Sequence, residues 1–430
     1  MALSFHRFDP SPCGFPAPRV PLLPRLSLAG AGLGAPDAGP DEELNAGLKA
    51  RPETVFFRRE NRFYRRGRYA LLEAFRLAGV GPRGTLLAPA YHCRTMLDPA
   101  QRLAAEVRLY PLNADLTPDL TALAALCAAP GAPVRALLLT HYFGFAQPAA
   151  AIARWCAERR IALIEDCSHA FFGEAEEASG QAPGALGSFG AFGDYAVASP
   201  WKFFPCADGG VLVANRGAVL PAAPARGGAA AELKAEAKAI LGSLRGRGAG
   251  RPRGGADETP ERLRRRLAQF AATPVAPAVE GVAEDGGLSP HYRPEDEGRA
   301  GLRSSRLLMC ATDASRLIAR RRRHYAAWTQ GVAGLAAARP LRPALPDSCV
   351  PYMFPLLIDH PEFHFALLKR LGVPIWRWDE MARSDCPVAA AYRLRLLHLP
   401  CHQDLSAADM AWMVAAVRAV LELPLPGDAP

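Results

Sequence analysis

From Thr54 to about Asn215, short runs of apolar residues alternate with stretches in which apolar positions recur every three or four residues. The runs predict strands at Thr85–Ala90, Glu106–Leu112, Val134–Tyr142, Arg160–Asp166, Tyr195–Ser199 and Gly210–Asn215. The periodic stretches predict helices at Arg68–Leu77, Leu120–Ala128 and Pro148–Glu158. Strands apolar along their whole length are buried on both faces, so the alternation predicts a three-layer α/β/α domain around a mostly parallel, mixed sheet.

Past Gly301 the pattern predicts a long amphipathic helix (Ala311–Val332), a strand (Tyr352–Ile358), a helix (Pro361–Leu371) and a last helix (Ala407–Leu423), a smaller C-terminal α/β domain. Residues 1–50 are rich in Pro, Gly and Ala and read as an arm lying over a surface or a partner subunit. Between about 221 and 296 the composition shifts to Ala, Gly, Arg and Pro. Two helical islands, Ala231–Leu244 and Thr259–Phe270, flank a Gly/Arg-rich run there, as in a flexible insertion. The expected division is therefore an arm (1–50), a large domain (51–300) carrying the insertion, and a small domain (301–430).

Composition narrows the class. With 430 residues, 50% apolar and 22% charged, the chain is globular and neither disordered nor coiled-coil. A net charge of +9 fits nucleic acid, a membrane surface or a phosphorylated substrate about equally well. Much of it lies in the Gly/Arg run and in Arg316–Arg323, where no interleaved aromatics would stack on bases. Solvated basic surfaces are thus expected in both places, and nucleic acid is not an expected partner. Pro21, Pro24 and Arg25 interrupt the apolar segment Val20–Ala35, so neither a signal peptide nor a membrane span is expected. Ten cysteines without a C-x-x-C pair point to reduced thiols in a cytoplasmic protein, with no disulfide framework and no metal site.

Three segments bear on chemistry. In Ser199-Pro-Trp-Lys202-Phe-Phe, a lysine follows a strand end by three residues and sits among aromatics. Desolvation there lowers an amine's pKa and favours Schiff-base chemistry, although alone the segment also fits a snorkelling lysine beside a Gly-Gly hairpin. Ile164-Glu-Asp166-Cys-Ser-His169 closes a buried strand with carboxylates and a histidine, at the sheet edge where ligands bind. Asp166 suits a partner for a pyridinium nitrogen, and equally a helix cap or structural ion pair. In Arg66-Gly67-Arg68, a glycine precedes a helix whose free N–H groups would suit a phosphate, or simply marks a turn.

Taken in order, these segments resemble the DegT/StrS family of sugar aminotransferases, pyridoxal-phosphate enzymes of fold type I, from about Phe56 to the C-terminus outside the insertion. The family's phosphate-binding turn falls on Arg66-Gly67-Arg68, its P-x-Y-T segment on Pro89-Ala-Tyr91-His92-Cys93, and its H-L-Y-G strand end on His141-Tyr-Phe-Gly144. Its I-E-D is Ile164-Glu165-Asp166, its Ser-x-x-Lys is Ser199-Pro-Trp-Lys202 with Asp208-Gly209-Gly210 following, and its late Pro-x-His is Pro400-Cys-His402.

The resemblance implies pyridoxal 5'-phosphate as cofactor, bonded as an internal aldimine to Lys202, with Asp166 opposite the ring nitrogen. Ser199, Gly67 and Arg68 would cradle the phosphate. His169 stands where the commoner pattern has Gln near the 3-hydroxyl. Cys93 stands where many members place an aromatic residue on the ring, so stacking is expected from Tyr91 or His92. Ser304 occupies the position of an Asn that many members supply from the neighbouring subunit, and Trp378 and His402 fall in the acceptor region.

By the same resemblance the chain is expected to be an aminotransferase moving an amino group from an amino acid such as glutamate to a nucleotide-linked keto sugar. It would act as a cytoplasmic homodimer and feed polysaccharide or natural-product assembly. Two alternatives stay open: other chemistry on the same cofactor, such as dehydration or reaction of a non-sugar carbonyl, and a non-catalytic regulatory protein of the same fold.

Overall fold

The computed structural model describes residues 3–24, 54–58, 60–175, 187–228, 230, 232–238, 241, 259–273, 278–283 and 287–425. Its centre is a seven-stranded sheet in the order Asn61–Tyr64, Gly210–Ala214, Tyr195–Ala198, Ala162–Asp166, Val134–Thr140, Thr85–Pro89, Val107–Tyr110. Gly210–Ala214 is antiparallel to both its neighbours, and the other pairings are parallel. Each predicted strand of this region is present to within about two residues at either end, and the helices Gly67–Leu77, Leu120–Ala128 and Ala149–Glu158 stand where the periodicity puts them.

The sheet is buried on both faces, and its pleat shows why. Leu86, Ala88, Leu138, Ile164, Val197 and Leu212 fall in one apolar cluster with Tyr69, Leu71 and Phe75 of the helix Gly67–Leu77. Their neighbours Leu87, Leu137, Leu139, Leu163, Ala196 and Val211 fall in a second cluster on the opposite face. Successive strand residues point to opposite sides, so an unbroken apolar run satisfies two helical layers at once.

The C-terminal part forms a three-stranded antiparallel sheet, Ala338–Pro340, Met353–Ile358 and Leu396–Pro400. The helices Ala314–Gly331 and Ala407–Leu421 pack together, the first against this sheet. Trp328 is fully buried, stacks on Phe354 at 6.0 Å and donates its indole N–H to Pro400 O at 2.8 Å.

Several elements differ from expectation. The helix predicted at 311–332 is present as Ala314–Gly331, its start capped by the Asp313 carboxylate, which accepts the Arg316 N–H at 3.0 Å, and a helix outside the predicted elements, Arg303–Ala311, precedes it. Arg94–Arg102 is helical despite Pro99, and its buried Asp98 accepts both the N–H (2.8 Å) and the hydroxyl (2.6 Å) of Ser289. Pro387–Arg395 and Leu396–Pro400 give no clear periodic signal because they are short and partly polar. Of the insertion, 232–238 and Pro260–Ala272 are helical, while the Gly/Arg run lies outside the described residues.

The described part of the arm lies on its own chain. Phe5–Asp9 pairs antiparallel with Val279–Ala283, and Phe8 and Phe15 meet Phe365 edge-on at 6.3 and 6.4 Å. Among the described residues, no helix is long and apolar enough to cross a membrane.

Because the Trp328 ring joins helix to sheet, Trp328→Ala is expected to cost about 3–5 kcal/mol. Urea unfolding followed by tryptophan fluorescence and circular dichroism would show it; a loss below about 1 kcal/mol would contradict this packing role.

Candidate active site

The carboxyl ends of the parallel strands converge on one cleft. Asp166 ends Ala162–Asp166 and pairs in register with Val197, so Ser199, two residues further along the adjacent strand, emerges beside the turn that follows Asp166. Ser168 Oγ and Ser199 Oγ lie 2.9 Å apart, and the Ser168 N–H donates to Asp166 Oδ1 at 2.9 Å. The helix Gly67–Leu77 starts at the same place with no side chain capping its first turn. A Cβ on Gly67 would lie 2.2 Å from Ser199 Oγ, so only glycine lets the helix start approach the two hydroxyls. A Cβ on Gly210 would likewise meet Arg66 O at 2.2 Å, so a glycine there lets strand Gly210–Ala214 pass close to the same turn. The uncapped helix start, two hydroxyls and the Arg68 side chain together make an anion cradle.

Lys202 stands where two cavities meet. The smaller is lined by Gly67, Asp166, Ser168 and Ser199, and the larger, of about 1110 Å³, by Arg94, Tyr352, Trp376, Trp378 and His398; Lys202, His169, Cys93 and Arg68 line both. Burial pushes the Lys202 amine below its ordinary value and Arg68 adds to that, while Cys93 and Asp166 pull the other way. Its Nζ lies 5.3 Å from the centre of the Tyr352 ring. Tyr352 stacks on His169 at 4.3 Å. His169 is held neutral, well below its usual range, by burial first and then by Lys202 and His398. Its Nδ1 is buried without a hydrogen-bond partner among the described residues, while other parts of the residue line both cavities.

Adjacent carboxylates do opposite jobs. Glu165 points to the other side of the strand and accepts the N–H groups of Phe192 (2.7 Å), Gly193 (2.6 Å) and Gly190 (3.2 Å), with His141 Nε2 at 2.9 Å. His141 Nδ1 accepts the Gln147 N–H at 3.2 Å, so Nε2 carries the proton given to Glu165. His141, Glu165 and Cys167 are close enough to hold a metal, yet the carboxylate and the imidazole are already engaged with the backbone and with each other. Asp166, by contrast, lines the smaller cavity.

Residues 66–223 match the DegT/DnrJ/EryC1/StrS aminotransferase family. This segment belongs to that family. The match spans the anion cradle, Asp166, Ser199 and Lys202. Among curated proteins, none matches the sequence. Solved structures share the fold: the aminotransferase TlmJ from Streptoalloteichus hindustanus has 21% identity over 84% of this chain and 85% of its own, with a TM-score of 0.54. Helicobacter pylori PseC, an aminotransferase involved in the biosynthesis of pseudoaminic acid, has 15% identity over 85% and 88%, with a TM-score of 0.55. The sugar aminotransferase CalS13 from Micromonospora echinospora has 19% identity over 84% and 87%, with a TM-score of 0.51. The chain has the α/β fold of type I aminotransferases, enzymes that use pyridoxal phosphate.

Several residues expected from the family pattern lie elsewhere. Tyr91 and His92 turn into the core rather than into either cavity. The Tyr91 hydroxyl is 2.8 Å from His398 Nε2 and its ring lies on Trp378 at 4.6 Å. His92 accepts the Ala382 N–H on Nε2 at 3.1 Å, leaving Nδ1–H to donate to Pro89 O at 3.0 Å. His402 is also turned away, its Nε2 donating to Pro21 O of the arm at 2.9 Å, whereas Trp378 does line the larger cavity. Ser304 bonds Glu236 of its own chain through both its N–H and its hydroxyl. Within Arg316–Arg323, expected to be a solvated face, Arg321 is wholly buried.

Sequence reasoning misses Ser168, Tyr352 and His398. Ser168 is legible in principle, standing two residues after Asp166 in the same turn; Tyr352 and His398 reach the site from the C-terminal sheet and carry no local signal.

The split between the carboxylates gives two expected outcomes. Glu165→Ala strands three buried N–H groups and is expected to cost at least about 3 kcal/mol in urea unfolding. Asp166→Asn keeps an acceptor for Ser168 and is expected to stay within about 1 kcal/mol of wild type; equal losses would overturn the division.

Burial pushes the His92 pKa down to about 4, while an unfolded histidine titrates near 6.5. The unfolded chain therefore binds more protons between these values, and stability falls as pH drops from about 6.5 to 4, by up to about 1.4 kcal/mol per unit for this residue. Unfolding of wild type and His92→Gln at pH 7.5, 6 and 5 checks this: the gap between them should narrow toward acid.

Proposed function

We propose that this chain is a pyridoxal-phosphate-dependent aminotransferase that takes an amino group from an amino acid, glutamate, and gives it to a nucleotide-linked keto sugar, as a cytoplasmic homodimer. The observation that carries the reading is the desolvated Lys202 amine set between an anion cradle and a buried carboxylate. Each feature suits one part of the cofactor: the cradle at Gly67, Ser168 and Ser199 its phosphate, Asp166 its ring nitrogen, and Lys202 its aldehyde. When bound, that cofactor supplies an electron sink for a carbanion at the substrate's α-carbon.

The protein's share is binding, orientation and proton transfer. Gly67 lets the helix start come close to where the phosphate would lie, and the Ser168–Ser199 pair would donate hydroxyl protons to it. Asp166 holds a proton on a facing pyridine nitrogen by charge. Lys202, neutral more readily than an exposed lysine, would hold the aldehyde, give way to a substrate amine, and carry a proton at Nζ between the two carbons that flank the transferred nitrogen. His169 stacks on Tyr352 beside that amine and lines both cavities, where its ring would meet the cofactor or the substrate. The larger cavity, with Trp376 and Trp378 on its wall and Arg94 on its rim, has room for a bulky anionic acceptor.

Incubated with pyridoxal phosphate, the purified protein should show a visible band that borohydride bleaches, leaving a reduced adduct on the Lys202 peptide. Glutamate should convert that band to near-ultraviolet absorption, and Lys202→Ala should lack it. No visible band at saturating cofactor would overturn the reading. Gly67→Ala, by driving a methyl into Ser199, should weaken cofactor affinity at least about tenfold in a spectroscopic titration while leaving the fold intact.

A further inference from the structure

Arg321 is among the largest fully buried side chains described, and among the described residues no carboxylate bonds it directly, Asp404 acting on it only at longer range. Carbonyl and amide oxygens solvate it instead. Its Nε donates to Gln403 Oε1 at 3.0 Å, Nη1 to Pro351 O at 3.1 Å and Tyr352 O at 3.2 Å, and Nη2 to Lys202 O at 3.0 Å and Phe203 O at 3.5 Å. The guanidinium lies 4.6 Å from the centre of the Phe203 ring. Gln403 Nε2 donates to Phe203 O at 2.8 Å, so the amide and the guanidinium hold the same loop.

A buried cation is costly to desolvate, and an apolar side chain of similar volume would serve packing better. What a planar fork does that an apolar chain cannot is fix several oxygens at once. Here the oxygens belong to Lys202 and to Tyr352, whose ring faces the Lys202 amine and stacks on His169. One rigid group on the helix Ala314–Gly331 thus ties the lysine-bearing loop of the large sheet to the aromatic loop of the C-terminal sheet.

We propose that Arg321 is a positioning residue for Lys202: its fork fixes the lysine's backbone against Tyr352 and so keeps the amine in its desolvated place. The role rests on the reading of Lys202 as the nucleophile. The groups around that amine are Cys93, Asp166, Arg68, His169, His398 and Tyr352. Losing the fork leaves all six in the sequence but frees the loop to admit water.

The test reads the amine itself in cofactor-free protein. Trace acetylation with acetic anhydride across pH 7–11, with the Lys202 peptide quantified by mass spectrometry, gives its titration in wild type, Arg321→Lys, Arg321→Met and Gln403→Leu. Wild type should titrate below an ordinary lysine. Arg321→Lys keeps the charge and loses the fork; it and Arg321→Met should move the midpoint upward and cut Lys202 acetylation at pH 8 at least about threefold. Gln403→Leu should move it the same way by less. Arg322→Met, which removes a partly exposed neighbour on the same helix, should leave it unchanged. A Lys202 profile identical to wild type in Arg321→Lys, or in Gln403→Leu should the Arg321 variants not fold, would overturn the proposal. So would a loss of stability without a shift in the Lys202 titration. Because no cofactor is present, failure of pyridoxal phosphate to bind would sink the functional reading without touching this result.

Discussion

The parallel register of two neighbouring strands sets the geometry on which the site depends. Asp166 lies opposite Val197. From that single pairing, the turn after Asp166 and the turn after Ala198 must leave the sheet side by side, which brings Ser168 to Ser199 and leaves Lys202 three residues further on. Slipping the pairing by one residue would exchange Glu165 with Asp166, sending the backbone-anchoring carboxylate into the cavity and the cavity carboxylate into the loop at 190–193. The apolar residues before Asp166 suit either buried face, so what opposes that slip is Glu165, whose carboxylate is bonded by three N–H groups and His141 on one face only.

Much of this geometry is legible in the chain. Unbroken apolar runs between helical stretches declare a two-sided sheet, and chemistry at strand ends follows from where open α/β sheets place ligands. Asp166, Ser199, Lys202 and Gly67 stand out by position, each within a few residues of a strand or helix boundary, but their roles come from the resemblance that their order and spacing carry. Tyr91 and His92 meet the same criterion and still turn inward, because a strand end fixes where the backbone goes but not which of the next side chains faces the cleft. The Ala382 N–H and the His398 ring, both distant in sequence, decide it.

The residues that escape sequence reading share a cause. Tyr352 and His398 lie on the C-terminal sheet, and Arg321 on a helix whose basic run has the look of a solvated face. Its three sequence neighbours of the same type give no hint that Arg321 alone is wholly buried. Helical periodicity separates faces of a helix, yet a charged residue on the inner face reads as a break in the pattern unless its partners are known, and oxygens from three different loops leave no mark in sequence.

The buried guanidinium also couples the two sheets mechanically. If the lysine loop were held only by its own strand, motion of the C-terminal sheet would alter the cavity without altering the amine. With Arg321 bonded to Lys202, Phe203, Pro351 and Tyr352 together, displacement of the C-terminal sheet must carry the Lys202 backbone with it or break charge-assisted bonds in a dry interior. Trp376 and Trp378 line the larger cavity from that same C-terminal region. On the proposed reading, in which the larger cavity takes the acceptor, displacement of those rings would be carried to the Lys202 backbone through Arg321, a link that neither sheet provides alone.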